Sequence, residues 1–261
     1  MLYFLYEWLA RSQEHVPMLN LLKYLTFRSG MAMLTAYIVA VAMGSRFIRW
    51  MKTKQGKGQP IRTDGIARHV TEKAGTPTMG GFMILAGLFA GALLWADLRN
   101  VHVWVVLLVT GSYGLLGFMD DYAKVTKQTT AGLSSVQKLI AQFIVAIAAT
   151  VILILFAPKS PMTPGMETSV VFPIFKALVI NLGWFYVAFA AITIAGFSNA
   201  VNLTDGLDGL AIVPVMFAAS TFGLIAYLVG NYKFADYQAY LDRTKNVLGG
   251  LHRDIYTGRF V

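Results

Sequence analysis

"VHVWVVLLVTGSYGLLGFMDDYAKV", residues 101–125, is a mostly apolar run that ends in two adjacent carboxylates, Asp120 and Asp121. A membrane-spanning helix needs about 20 mostly apolar residues, and 101–119 supplies that length. An Asp at the centre of such a helix costs roughly 2.5–3.5 kcal/mol on insertion scales. This pair stands at the end of the run, so the run reads as a span and the pair as a feature of the membrane surface.

The rest of the chain agrees. Of 261 residues, 56% are apolar and 13% charged, with a mean hydropathy of +0.58. Soluble domains carry about 25% charged residues. The net charge of +9 has its basic residues gathered between apolar runs, which favours a membrane surface over a nucleic acid as partner. The absence of cysteine excludes disulfides and thiolate chemistry. The N-terminal "MLYFLYEWLARS" has neither a basic n-region nor a small-residue cleavage site, so it reads as a retained, interfacial segment.

Five further runs qualify as spans, at about 29–51, 77–96, 136–156, 178–197 and 210–229. Pro158, Pro161 and Pro164 break the chain after the 136–156 run. The expected fold class is all-α: a polytopic membrane helix bundle with about six transmembrane helices. Residues 1–236 form the membrane domain, and 237–261 a polar tail. No internal repeat stands out, which weighs against an inverted-repeat transporter.

Basic residues orient such a chain, because they gather on the cytoplasmic side. Arg46, Arg49, Lys52, Lys54, Lys57, Arg62, Arg68 and Lys73 fill the first connection, and Lys124, Lys127 and Lys138 the third. The outer connections hold Arg99, Lys159 and Lys176. The first, third and fifth connections are therefore expected inside and the N-terminus outside. The three unusual polar motifs each fall in one of the inner connections.

The first motif is "EKAGTPTMGG", 72–81. Thr76 reads as a helix N-cap with Pro77 at the first helical position, and the glycines suit close helix packing in lipid. Its functional reading is an anion site at a helix N-terminus beside Lys73. The second is the Asp pair. On a continuing helix Asp121 lies over Gly117 and Gly114, which places Asp121 toward the bundle interior. A bare Asp-Asp pair is often only a solvated loop; the functional alternative is Mg²⁺ ligation or general-base work, since Mg²⁺ takes one or two carboxylates plus substrate phosphates. The third is "NAVNLTDGLDGLA", 199–211, with Asn199, Asn202, Asp205 and Asp208 at every third position. Asp-Gly turns explain part of it, but a run without Lys or Arg between two spans offers two amides and two carboxylates to a ligand. Together the three motifs suit a Mg²⁺-bound phosphate or pyrophosphate at one membrane face, where transfer needs mainly positioning and charge neutralisation.

The segments "GTPTMGG", "GFMDDY" and "GFSNAVNLTDGLDGLA" closely resemble the phospho-N-acetylmuramoyl-pentapeptide transferases of bacterial peptidoglycan synthesis, members of the polyprenyl-phosphate N-acetylhexosamine-1-phosphate transferase family. The likeness runs from the N-terminal region to about Phe234. It implies an enzyme of the bacterial inner membrane that moves phospho-N-acetylmuramoyl-pentapeptide from UDP to undecaprenyl phosphate, releasing UMP and lipid I, with Mg²⁺ as cofactor and the site facing the cytoplasm. It also implies Asp120, Asp121 and Asp205 as catalytic and metal-binding residues. Lys73, Thr78, Asn199, Asn202 and Asp208 become the substrate-binding residues. The partners it admits are the two substrates, membrane lipids and a second copy of the chain, with no role for nucleic acid.

The family has about ten spans, a further Asp motif and a His cluster, and this sequence matches neither of those motifs. The tail 237–261 changes composition abruptly. The expectation is a chain lacking the family's C-terminal part and, as it stands, without transferase activity. Two other readings stay open: a related UDP-N-acetylhexosamine polyprenyl-phosphate transferase, and a proton or cation transporter using the carboxylates. Cysteine labelling at Asp120 and Asp205 separates the transporter, which needs them at mid-bilayer depth.

Overall fold

The computed structural model describes residues 2, 4, 6, 21–22, 24–55, 79–128, 132–157, 165–172, 175, 178–204 and 210–230. Among the described residues six long helices follow one another: α1 (Leu25–Gln55), α2 (Gly81–Trp95), α3 (Val101–Lys127), α4 (Ser135–Phe156), α5 (Phe185–Thr204) and α6 (Ile212–Gly230). Between α4 and α5 lies a hairpin of two short strands, β1 (Ser169–Val171) and β2 (Val179–Asn181). The chain divides into two compact units, residues 1–196 and 197–261.

Four helices, α1, α3, α4 and α5, are long and apolar enough to cross a membrane; α2 and residues 212–228 of α6 are apolar but shorter. The 31 residues of α1 extend about 46 Å at 1.5 Å per residue, well beyond a hydrocarbon core of about 30 Å. Its surplus is the basic end with Arg46, Arg49, Lys52 and Lys54. The 27 residues of α3 likewise carry Asp120 about 28 Å from the first residue, where a perpendicular span leaves the hydrocarbon.

Two boundaries differ from expectation. The fifth span starts at Phe185, not 178, because Val179–Asn181 pairs antiparallel with Ser169–Val171, Val170 opposite Ile180. Val170, Val171, Val179 and Ile180 are β-branched and suit a pleated ladder. Asn181 closes the open end: its Oδ1 accepts from Thr168 Oγ1 (2.8 Å) and the Gly183 amide (2.9 Å). Gly183, at φ +52°, then turns the chain into α5. Helix α2 begins at Gly81, with Gly80 in the cap position and no side-chain cap; Thr76 and Pro77, expected to open it, lie outside the described residues.

Packing within the first unit relies on small residues. Gly87 and Gly91 of α2 meet the backbone of Ala36 and Ala32 of α1. Beside them Trp95 Nε1 donates to Thr35 Oγ1 (2.9 Å), Phe27 meets Trp95 edge-on and Phe47 stacks on Phe82. Gly111 of α3 faces Phe89 of α2, and Tyr113 donates to the Gln142 carbonyl of α4 (3.0 Å). Among the described residues, Ala146, Ala149, Ala191 and Ala195 are buried while no large side chain is fully so. Large apolar side chains point outward instead, Leu203, Met33 and Phe217 among them. Outward-facing bulk with small residues inside is how helices pack in lipid.

Candidate functional site

The end of α3 and the start of α4 meet at Asp120. Tyr113 and Asp120 are seven residues apart and share the face of α3 that packs on α4. Gln128 caps α3 in a left-handed conformation, and a capping box of Ser134 and Gln137 opens α4. That brings the Leu133 amide and Lys138 onto the carboxylate.

Asp120 is only 7% exposed. Its Oδ2 pairs with Lys124 Nζ at 2.6 Å, one helical turn on. Its Oδ1 pairs with Lys138 Nζ at 2.7 Å and accepts the Leu133 N–H at 2.7 Å. Asp121 is looser: its Oδ1 lies 3.6 Å from Lys124 Nζ, and its side chain is 29% exposed. Asp120 is therefore the carboxylate turned inward, contrary to the expectation for Asp121. Gly114 does pack, against Leu85 of α2, but a side chain at Gly117 would meet open space, so the small-residue row does not mark the α4-facing side.

A methyl group at Gly132 would collide with Asp120 Oδ1 and crowd Lys124 Cε. Gly132→Ala is expected to lower stability by about 1–3 kcal/mol, the usual range for overpacking. A thermal melt in detergent that matches the parent protein would show that the link yields freely.

Asn199 and Asn202 lie in the last two turns of α5, Asn199 half-buried and Asn202 exposed. Lys73, Thr78, Asp205 and Asp208 lie outside the described residues. Lys124 and Lys138, read from sequence only as topological charge, prove to be the partners of Asp120. The i,i+4 spacing of Asp120 and Lys124 was a usable signal; Lys138 depends on the turn between helices.

Two carboxylates and two ammonium groups thus converge at one helix end. The lysines can move to an anion such as a phosphate, and the freed carboxylates offer the hard oxygen donors that Mg²⁺ takes. The donor chemistry fits that ion, with Asp121 the more accessible ligand and Asp120 available once a lysine leaves it. Among the described residues no group of three or more His, Cys, Asp or Glu could hold a metal. A cavity of about 520 Å³ lies at the opposite end of the first unit, lined by His102, Glu167, Tyr186 and Thr193 among others. His102 is 18 residues before Asp120 on α3, about 27 Å along the axis, so this cavity is separate.

Comparison with known proteins identifies the family. Residues 73–85 match signature 1 of the phospho-N-acetylmuramoyl-pentapeptide-transferases. The chain is 95% identical over 237 residues to the phospho-N-acetylmuramoyl-pentapeptide-transferase of Caulobacter vibrioides (strain NA1000 / CB15N). It is 86% identical over 238 residues to that of Caulobacter sp. (strain K31) and 54% over 237 to that of Maricaulis maris (strain MCS10). Each alignment covers 91% of this chain and 64% of the relative, so the chain spans about two-thirds of the length of these relatives. Residues 103–242, more than half of the chain and including Asp120, Asp121, Asn199 and Asn202, match the model of glycosyl transferase family 4, and the chain belongs to that family.

Proposed function

We propose that this chain carries the Asp120–Asp121 part of an enzyme that transfers phospho-N-acetylmuramoyl-pentapeptide from UDP to undecaprenyl phosphate, giving UMP and lipid I. The observation that carries the reading is the convergence of Lys124 and Lys138 on a buried carboxylate at the end of a membrane helix. The names of the relatives support the sugar-peptide as the transferred group. Phosphoryl transfer of this kind exchanges one phosphoanhydride for another and needs charge neutralised and groups aligned more than it needs covalent chemistry from the protein.

In this reading Lys124 and Lys138 leave Asp120 for the substrate phosphates. Asp120 and Asp121, with Asp205, hold Mg²⁺ or take the proton of the lipid phosphate. Mg²⁺, when bound, neutralises the pyrophosphate. Lys73, Thr78, Asn199, Asn202 and Asp208 bind the nucleotide-sugar end. The test uses a polypeptide extended to the relatives' length, in detergent, with both substrates and Mg²⁺. UMP release that persists when Asp120 and Asp121 are both Asn would sink the proposal.

Placing the site on the cytoplasmic face of the inner membrane belongs to the same proposal. Its support is the Lys/Arg asymmetry of the connections. Reporter fusions after Thr76, Thr129 and Asp208 are expected to report inside, and a periplasmic signal from any one of them breaks the convergence. A transporter is less well supported, because α3 carries Asp120 to the end of the hydrocarbon rather than to its middle.

A further inference from the structure

The transfer reaction leaves unused the most apolar connection in the chain. The stretch "VVFPIFKALVI", 170–180, contains a single charged residue, Lys176. A connection between helices is ordinarily polar, since it runs through water. Here both strands of the hairpin expose apolar side chains: Val171, Phe172 and Phe175 on the way out, Leu178, Val179 and Ile180 on the way back. Polar groups gather at the other end, where Asn181 joins Thr168, Gly165 and Gly183. The hairpin is thus built as an apolar tip on a polar base.

We propose that this hairpin docks on the phospholipid surface, its tip seated at the boundary between headgroups and acyl chains. Four observations lead there, none of which depends on the transferase reading. A two-stranded hairpin is marginally stable alone and needs a surface to pack on. Only Leu182, Gly183 and Trp184 separate β2 from α5, so Asn181 stays within about 14 Å of the end of a membrane-length helix.

Exposed apolar side chains also flank the hairpin along the chain. Leu155 and Phe156 end α4, and Trp184 and Phe185, 70% and 67% exposed, open α5. Such aromatic girdles mark the membrane–water interface. Finally, the sequence places a single cationic residue, Lys176, in this apolar stretch, and a lone Lys there suits the phosphates of anionic lipids.

Backbone chemistry sets the depth. The outer edges of a two-stranded ladder keep unpaired N–H and C=O groups, which hydrocarbon does not satisfy. The tip therefore rests in the interface, about 5–10 Å below the headgroup surface, rather than crossing further.

The chain has no cysteine, so single sites can be spin-labelled in an otherwise natural sequence. Phe175→Cys, Trp184→Cys and Ser169→Cys are compared in vesicles of phosphatidylethanolamine and phosphatidylglycerol. Labels at 175 and 184 are expected to collide with oxygen far more than with an aqueous nickel chelate, at depths of about 5–10 Å. The label at 169, on the polar base, is expected to show the reverse preference. Nickel access at 175 equal to that at 169 overturns the proposal, since the hairpin then stands in water. Shielding of 175 from both reagents also overturns it, because protein rather than lipid then covers the tip. Unchanged accessibility after the anionic lipid is removed would rule out the contribution assigned to Lys176.

Discussion

Asp121→Asn is expected to lower turnover by at least ~100-fold, the low end for a general base, with only a small loss of thermal stability, whereas Asp120→Asn lowers both. The two carboxylates differ in what holds them. Asp120 joins α3 to α4 through Lys138 at 2.7 Å and the Leu133 amide at 2.7 Å, so its charge is part of the fold. Asn keeps the shape but gives the amide a weaker acceptor, takes the Asp120 charge from Lys138 and leaves Lys124 only the more distant Asp121. The side chains of Lys124 and Lys138 are 20% and 35% exposed and regain part of their hydration, which holds the loss to about 1–2 kcal/mol. Asp121 is the more solvated of the two, its side chain 29% exposed against 10% for Asp120, so removal of its charge is offset by water. Its proposed worth lies in the metal and the substrate. The comparison is made in a polypeptide of the relatives' full length, with melting temperature and UMP release measured on the same preparations at saturating Mg²⁺. Near-normal turnover in both variants would reduce the pair to a structural cap. Equal loss of stability would show that the difference in burial has no energetic content.

The sequence carried the helix order and the membrane reading because both rest on composition summed over many residues. Helix α3 runs on past the apolar stretch to Lys127, as the placement of the Asp pair on a continuing helix required. The hairpin escaped because a short apolar run bounded by turn residues reads equally as a strand or as the start of a buried helix. The length of 178–197 favoured the helix, and only the pairing of Val170 with Ile180 decides otherwise. At the site, the choice of Asp120 over Asp121 was not legible. It depends on which face of α3 meets α4, and Gly114 and Gly117 pointed to a different face. The signal that was present lay in Tyr113 and Lys124, which share the face of Asp120 at helical spacing. Family resemblance supplied the residues that composition cannot assign, and the match over 103–242 bears out the family itself. The roles given to Asn199, Asn202, Lys73 and Thr78 remain proposals.

Replacing Gly87 or Gly91 with Ala is expected to destabilise the protein markedly, although Ala is the better helix former. In a helix interior the exchange taken alone favours the folded state by about 1 kcal/mol. Here geometry opposes it. A Cβ on Gly87 would stand 2.5 Å from the Ala36 carbonyl oxygen and 3.2 Å from its carbon. On Gly91 it would stand 2.6 Å from the Ala32 oxygen. These neighbours are backbone, with no rotamer to change, so relief requires α1 and α2 to move apart by about 1 Å to reach ordinary contact distances. Separation on that scale loosens the rest of the interface: the Trp95–Thr35 hydrogen bond at 2.9 Å and the stacking of Phe47 on Phe82. Overpacking typically costs about 1–3 kcal/mol at one site. The double variant is therefore expected to lose more than either single one, with less than full additivity, because the first separation relieves part of the second clash. Gly30→Ala is the control: it lies in α1, and nothing stands within 4 Å of its added methyl. Melts of the five proteins in one detergent should rank Gly30→Ala at or above the parent, each single interface variant below it, and the double lowest. A melt of Gly87→Ala that coincides with that of Gly30→Ala would mean that α1 and α2 do not approach this closely, and the small-residue account of the interface would fail with it.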